Sequence, residues 1–100
     1  MRLPPGGQAL MTDLYELTMA QSYLRHGMTA PASFSLFVRK YPQDRAYLVA
    51  AGLEHVLDFL QDFHFAEEDL AYLRSTGIFG DDLLEHLAKL RFTGDVWAVP

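Results

Sequence analysis

The chain has 100 residues, of which 50% are apolar, and this is enough for one small domain with an ordinary hydrophobic core. Its 13 acidic and 8 basic residues give a net charge of −5, and the lack of a basic tract argues against nucleic acid as a partner. Since the chain contains no cysteine, disulfides and thiolate metal sites are excluded for this segment, which fits a cytoplasmic protein.

Residues 1–9 are rich in proline and glycine and are predicted to form a flexible N-terminal arm. No apolar segment follows the positive charge of Arg2, so this arm does not have the pattern of a signal peptide. The longest apolar run, 47–53, is much shorter than the roughly 20 residues of a membrane-spanning helix. We therefore expect a soluble protein with no membrane partner.

The first helix is predicted from about Asp13 to Arg25. Asp13 is a favourable N-cap, Glu16 is placed to complete a capping box, and Gly27 is suited to end the helix in a left-handed conformation. An apolar stripe with helical spacing supports this assignment. The stripe comprises Met11, Leu14, Leu17, Ala20 and Leu24.

Two strands and a turn are predicted next. Residues 33–39 alternate as expected for a half-buried strand. One face would carry Phe34, Leu36 and Val38, and the other Ser33, Ser35, Phe37 and Arg39. The segment 42–45 has the composition of a turn, and 47–50 is predicted to form a second strand that pairs with the first as a hairpin.

Three more helices and a final strand complete the prediction. The first of these three helices carries an apolar stripe with the spacing of a buried helical face, at Leu53, Val56, Leu57 and Leu60. The second should run from 67 to 75, with three acids in its first turn. The third should be capped by Asp81 or Asp82 and bury Leu83, Leu84, Leu87 and Leu90. A strand then begins near residue 91 and ends with the chain, which predicts an α/β or α+β segment truncated at 100.

Four blocks of sequence, in this order, resemble the N-terminal segment of nicotinate phosphoribosyltransferase. Any one block would be weak support, but together they span nearly all of residues 10–100. The blocks are Thr12-Asp13-Leu14-Tyr15 with Thr18-Met19-Ala20-Gln21, then Phe34-Ser35-Leu36-Phe37-Val38-Arg39-Lys40, then Tyr47-Leu48-Val49-Ala50-Ala51-Gly52-Leu53-Glu54, and Arg91-Phe92-Thr93-Gly94-Asp95-Val96-Trp97-Ala98-Val99-Pro100.

The resemblance implies an enzyme of NAD salvage. Such an enzyme forms nicotinate mononucleotide and pyrophosphate from nicotinate and phosphoribosyl pyrophosphate, with ATP hydrolysis and Mg²⁺ as the expected metal ion. It also implies a homodimer with shared active sites. Residues 10–100 would then be the N-terminal part of an α/β phosphoribosyltransferase with a TIM-barrel-like second domain downstream.

Tyr15 and Asp13 are the first two candidate site residues. In the resembling family, a tyrosine at the position of Tyr15 reaches from the neighbouring subunit and stacks on the pyridine ring of the substrate. The alternative is that Tyr15 only packs at the start of the helix. Asp13 is interpreted mainly as the cap that orients Tyr15, because a carboxylate beside the carboxylate of nicotinate would repel it.

Arg39 and Lys40 are the second pair of candidates. The resemblance implies that a basic residue from this segment reaches the phosphate of the phosphoribosyl group across the dimer interface. A guanidinium suits this role because it offers two donors to phosphate oxygens. The alternative is an ordinary solvated strand end.

No catalytic residue and no metal site are predicted within the chain. His26, His55, His64 and His86 are too far apart in sequence to suggest a ligand pair. The acidic residues at 67–69 and 81–82 are explained by helix N-termini. The resemblance places the histidine that ATP phosphorylates beyond Pro100.

Two alternatives remain at this point. One is another pyridine phosphoribosyltransferase, which would use nicotinamide or quinolinate in place of nicotinate. The other is a non-catalytic interaction module, which should unfold cooperatively as a monomer.

Overall fold

The computed structural model describes residues 8–99, and within this range all regular structure is helical. A short 3-10 helix, Gln8–Leu10, precedes α1 (Leu14–Arg25), α2 (Leu53–Gln61), α3 (Glu67–Ser75) and α4 (Asp81–Lys89). None of these helices has the length and apolar character needed to cross a lipid bilayer.

The hydrophobic core lies between α3 and α4, and α1 packs against α4. Leu73 of α3 is fully buried, and α4 buries three of its four predicted inward positions, which confirms the helical spacing there. The apolar stripe predicted for α1 contributes Leu17 to this core. The buried apolar residues are Ala9, Leu17, Phe65, Leu73, Leu83, Leu84 and Leu87.

Helix ends follow local signals where those signals are strong. Gly27, after α1, has a φ of +68°, and Gly77, after α3, has a φ of +75°. Both glycines therefore adopt a left-handed conformation, which the sequence predicted for Gly27. At the start of α3, the carboxylate of Asp69 is buried and accepts a hydrogen bond from the Ala66 N–H at 2.8 Å. This bond satisfies one of the backbone donors that a helix N-terminus leaves free.

The cap predicted for α4 is wrong. Gly80 occupies the N-cap position, and Asp81 and Asp82 lie in the first helical turn. Arg74 binds the carboxylate of Asp81, and Arg25 binds that of Asp82. Local sequence did not reveal these partners, since they belong to other helices.

The predicted strands at 33–39, 47–50 and 96–99 are also wrong for this structure. No ladder of backbone hydrogen bonds forms in the described range, so an α/β class is not shown. Only the turn of the proposed hairpin is present, with Arg45 N–H donating to the Pro42 carbonyl at 3.2 Å and Asp44 at a φ of +67°. A two-stranded hairpin is marginally stable without further strands or a packed face, and neither is present here.

The apolar stripe of α2 is not buried as predicted. Val56 and Leu57 are 44% and 43% exposed, and no residue of this helix is fully buried. The end of α2 connects to the core through edge-to-face ring pairs, with Phe59 and Phe63 centroids 5.6 Å apart and Phe63 and Phe65 centroids 5.7 Å apart. Since Phe65 is buried, these rings attach α2 at one end and leave its apolar face accessible.

The predicted N-terminal arm falls mostly outside the described residues, which begin at position 8. Its last two residues are part of the fold, because Gln8 begins the 3-10 helix and Ala9 is buried in the core. The N–H of Met11 closes this short helix on the Gln8 carbonyl at 3.1 Å. The folded unit therefore includes positions 8 and 9.

Candidate functional site

Tyr15 lies in the first turn of α1 with 60% of its surface exposed. Residues two apart on a helix point to nearly opposite sides, so Tyr15 lies away from the core face that buried Leu17 defines. Thr18 Oγ1 donates a hydrogen bond to the Tyr15 carbonyl at 2.8 Å, within the ordered helix. The phenol ring is thus accessible on a fixed backbone and forms no part of the buried core.

Asp13 occupies the N-cap position of α1, with extended backbone angles and a carbonyl that accepts the Glu16 N–H at 3.2 Å. The predicted side-chain cap is wrong, because the Asp13 carboxylate makes no capping hydrogen bond. Glu16 does not complete a capping box either, since its carboxylate accepts the hydroxyl of Thr12. Asp13 therefore orients the first turn through its backbone and its negative charge.

Arg39 and Lys40 lie between α1 and α2, where residues 26–52 are exposed throughout. The strand end on which Arg39 was predicted to lie does not form. Neither side chain has a hydrogen bond or an ion pair with any residue in the range 8–99. Both cations are accessible, but the segment that carries them has no regular backbone.

The two predicted pairs lie on separate segments. Across the described residues, no hydrogen bond or ion pair joins Asp13 or Tyr15 to Arg39 or Lys40. An open depression of about 420 Å³ beside α1 contains none of the four. It is lined by Leu24, Asp82, Glu85, His86 and Lys89.

The opposite half of α1 is tied to the start of α4. Arg25 donates from Nε to Asp82 Oδ2 at 2.8 Å and from Nη2 to Oδ1 at 3.0 Å, which is a two-point ion pair. These hydrogen bonds lower the pKa of the Asp82 carboxyl to about 2 and raise the pKa of the Arg25 guanidinium. One turn earlier, Gln21 Oε1 accepts the Gly80 N–H at 2.7 Å, and Gln21 Nε2 donates to the Ile78 carbonyl at 3.4 Å.

The acidic residues do not assemble a metal site. In the part of the chain that the structure describes, no group of three or more His, Asp or Glu side chains is arranged to hold a metal ion. Asp69 is bound to backbone, and Asp81 is held by Arg74 at 2.6 Å. The ring nitrogen Nδ1 of His26 donates to the Ser22 carbonyl at 2.7 Å, at the C-terminus of α1.

Gln21, Arg25 and Asp82 were not identified as site-related from the sequence. Gln21 and Arg25 are four apart, so they lie on one flank of α1, and this spacing was the only available signal. Their partners are 57 to 59 residues away, and no local pattern specifies contacts at that separation.

Comparisons with known proteins agree with the resemblance seen in the sequence. Residues 10–100 match the family model described as the nicotinate phosphoribosyltransferase (NAPRTase) N-terminal domain. The chain is 55% identical over 92 residues to nicotinate phosphoribosyltransferase pncB2 of Mycobacterium tuberculosis, which covers 92% of this chain and 20% of that protein. Identity to the nicotinate phosphoribosyltransferase of Bacillus subtilis is 39% over 77 residues, covering 76% of this chain and 16% of that protein.

The likeness extends to animals. The nicotinate phosphoribosyltransferase of Bos taurus is 38% identical over 97 residues, which covers 90% of this chain and 18% of that protein. The chain thus spans at most about a fifth of the length of these relatives. No solved structure gives a significant match to it. Because the family model covers nearly every residue, the chain belongs to the nicotinate phosphoribosyltransferase family, of which it carries the N-terminal domain.

Proposed function

We propose that the complete protein couples nicotinate to phosphoribosyl pyrophosphate, forming nicotinate mononucleotide and pyrophosphate in NAD salvage. The observation that carries this proposal is the family match over residues 10–100, together with 55% identity to a relative named for this activity. The present segment would bind and orient substrates, and the remaining chemistry would belong to other parts of the protein.

Tyr15 is proposed to stack on the pyridine ring of nicotinate, in the active site of the other subunit of a homodimer. Its exposure and its position at the outer face of α1 support this role, because a ring that reaches a neighbouring subunit must not be buried in its own. Offset stacking of two aromatic rings is worth about 0.5–1.5 kcal/mol beyond the area that it buries. Asp13 is proposed to set the direction of this first turn rather than to contact nicotinate.

Arg39 is proposed to bind the phosphate of the phosphoribosyl group, with Lys40 in a supporting role. Both side chains are exposed and without partners in residues 8–99, so no competing ion pair has to be broken. The irregular backbone of this segment would become ordered when the complete dimer and its substrate assemble. Phosphate contacts of a guanidinium are charge-assisted and can form through two donors.

Bond formation at the ribose carbon passes through an oxocarbenium-like transition state, for which the protein supplies orientation and charge stabilisation. ATP is proposed to drive the transfer through a phosphorylated histidine beyond Pro100. Mg²⁺ enters this proposal with the phosphorylated substrates, because this ion is commonly bound through substrate phosphates together with one or two carboxylates. The cytoplasm is the proposed location, where these substrates occur.

The direct test is product formation by the complete protein from nicotinate and phosphoribosyl pyrophosphate, measured with and without ATP. Nicotinamide and quinolinate serve as controls. We expect nicotinate-specific and ATP-stimulated formation of nicotinate mononucleotide. Product from nicotinamide or quinolinate instead would assign the protein to another pyridine phosphoribosyltransferase activity, and no product from any of the three would overturn the proposal.

Replacing Tyr15 tests the stacking role within this activity. We expect Tyr15→Ala to raise the KM for nicotinate about tenfold or more, because the ring contact and its buried area are both lost. Tyr15→Phe should stay within about twofold of the parent protein, since stacking does not require the hydroxyl. Steady-state kinetics that leave the nicotinate KM of Tyr15→Ala unchanged would show that Tyr15 is not in contact with the ring.

An autonomous interaction module is less well supported. Large apolar side chains between α1 and α2 are highly exposed, including Phe34 at 94% and Leu36 at 97%. Large exposed apolar surfaces mark contact sites more often than they occur on chains that function alone as monomers. A larger assembly that covers these residues agrees better with the family match.

A further inference from the structure

The attachment of α1 to α4 has more contacts than helix packing alone requires. Gln21 and Arg25 follow each other by one turn and together bind three consecutive parts of the α4 entrance, at Ile78, Gly80 and Asp82. Gln21 uses both ends of its amide, and Arg25 uses two guanidinium nitrogens. We call these two side chains and their partners the α1–α4 clamp.

The shape of the α4 entrance is adapted to this clamp. A Cβ atom added at Gly80 would collide with Arg25 Nη2 and would lie 2.5 Å from Asp82 Oδ1. The backbone of Gly80 is extended, a conformation that alanine also adopts, so an added Cβ would act by displacing the Arg25 and Asp82 side chains. The guanidinium of Arg25 thus passes directly over the Gly80 Cα.

The clamp and the core hold α1 at two places. Leu17 is buried in the N-terminal half of the helix, and the clamp binds the C-terminal half. A helix of 12 residues is about 18 Å long and behaves as a stiff rod over that length. Two attachments on one rod prevent it from swinging or rolling, so they also determine where its exposed N-terminal residues point.

We infer that the α1–α4 clamp is a positioning device for Tyr15, in which Gln21 and Arg25 direct the tyrosine ring toward the nicotinate subsite. The inference rests on the proposed function, because it assigns to Tyr15 the ring contact described above. Gln21 and Arg25 lie two to three turns from Tyr15 along the helix and act through it. They are positioning residues and do not contact substrate.

The Arg25–Asp82 ion pair of the clamp persists through the neutral pH range. The pKa of Asp82 is lowered from 3.8 to about 2 by the hydrogen bonds from Arg25. A carboxyl with a lowered folded-state pKa contributes fully above its unfolded value and loses its contribution as pH falls through the folded value. The ion pair is therefore complete above pH 3.8, and substitution is the way to remove it near neutrality.

The test is a double-mutant cycle in the complete protein, with Arg25→Ala, Tyr15→Ala and the combined variant. We expect Arg25→Ala to raise the nicotinate KM about two- to tenfold, the size of the stacking contact that it positions. The KM for phosphoribosyl pyrophosphate should not change, and Arg25→Lys should partly restore the nicotinate KM. In the Tyr15→Ala background, Arg25→Ala should have no further effect on the nicotinate KM.

Two further variants separate positioning from general loss of structure. Gly80→Ala should reproduce the Arg25→Ala phenotype, because its Cβ displaces the guanidinium. Arg74→Ala breaks the comparable ion pair of α3 with Asp81 and should leave both KM values unchanged. Equal increases in both KM values for Arg25→Ala, or a matching effect of Arg74→Ala, would overturn the inference.

The outcome also distinguishes this inference from the proposed role of Tyr15. If Tyr15→Ala raises the nicotinate KM and Arg25→Ala adds an independent increase, the clamp is not the device that positions Tyr15. If Tyr15→Ala itself leaves the nicotinate KM unchanged, the proposed ring contact is wrong, and the inference that rests on it is wrong as well.

Discussion

Replacing Leu73 with alanine is expected to destabilise the α3–α4 core by about 2–5 kcal/mol. Leu73 is fully buried, so truncation removes apolar contacts and leaves a cavity that the two short helices can close only in part. Amide hydrogen exchange of α3 and α4 in the complete protein measures this effect, because it reports the opening free energy of a local region.

Leu73→Met is the matched control for this prediction. It keeps the side-chain volume nearly constant and should cost less than about 1.5 kcal/mol. An opening free energy that falls by less than about 0.5 kcal/mol for Leu73→Ala would mean that Leu73 is not enclosed as the structure places it.

Replacing Arg39 with alanine is expected to raise the KM for phosphoribosyl pyrophosphate about 10- to 100-fold. A hydrogen bond between charged groups is worth more than a neutral one, and Arg39 has no internal partner in residues 8–99 from which it must first separate. Steady-state kinetics with varied phosphoribosyl pyrophosphate measure the loss, and the KM for nicotinate should stay nearly constant.

Arg45→Ala is the control for charge, since it removes the same charge from the same exposed segment. Its KM values should stay within about twofold of the parent protein, because an exposed cation away from the phosphate contributes little. The KM for phosphoribosyl pyrophosphate of Arg39→Lys should lie between those of Arg39→Ala and Arg45→Ala, because lysine retains the charge but lacks the paired donors of a guanidinium. Equal effects of Arg39→Ala and Arg45→Ala would point to a general electrostatic effect and contradict a specific phosphate contact.

The sequence was most informative about candidate residues through the resemblance, and least informative about what surrounds them. Tyr15 was identified because the sequence motif at the start of the first helix resembles the family. Hydrophobic periodicity alone favours a packing role for this residue. Its exposure on α1 required the structure. Arg39 was identified in the same way, but its alternation pattern led to a strand that does not form.

The helices could be predicted from the residues alone because their signals are local. Three acids and a left-handed glycine bracket α3, and leucines at helical spacing define the inward face of α4. Such signals act within one or two turns, so they do not depend on the rest of the molecule. The same holds for Gly27 and the turn at 42–45.

Three features could not be predicted from local sequence because each depends on contacts with distant residues. They are whether the apolar alternating segments form strands, whether α2 is buried, and the presence of the clamp. Apolar alternation at 33–39 makes a segment able to join a sheet, but its backbone hydrogen bonds must come from a neighbouring strand. The stripe of α2 is apolar whether or not another surface covers it. In the sequence, Arg25 and Asp82 each look like an ordinary charge at a helix end. Only the packing of α1 on α4 brings Arg25 Nε to 2.8 Å from Asp82 Oδ2. Local chemistry therefore established which segments are helical and which family the chain resembles, whereas pairing across 57 residues is a property of the folded arrangement.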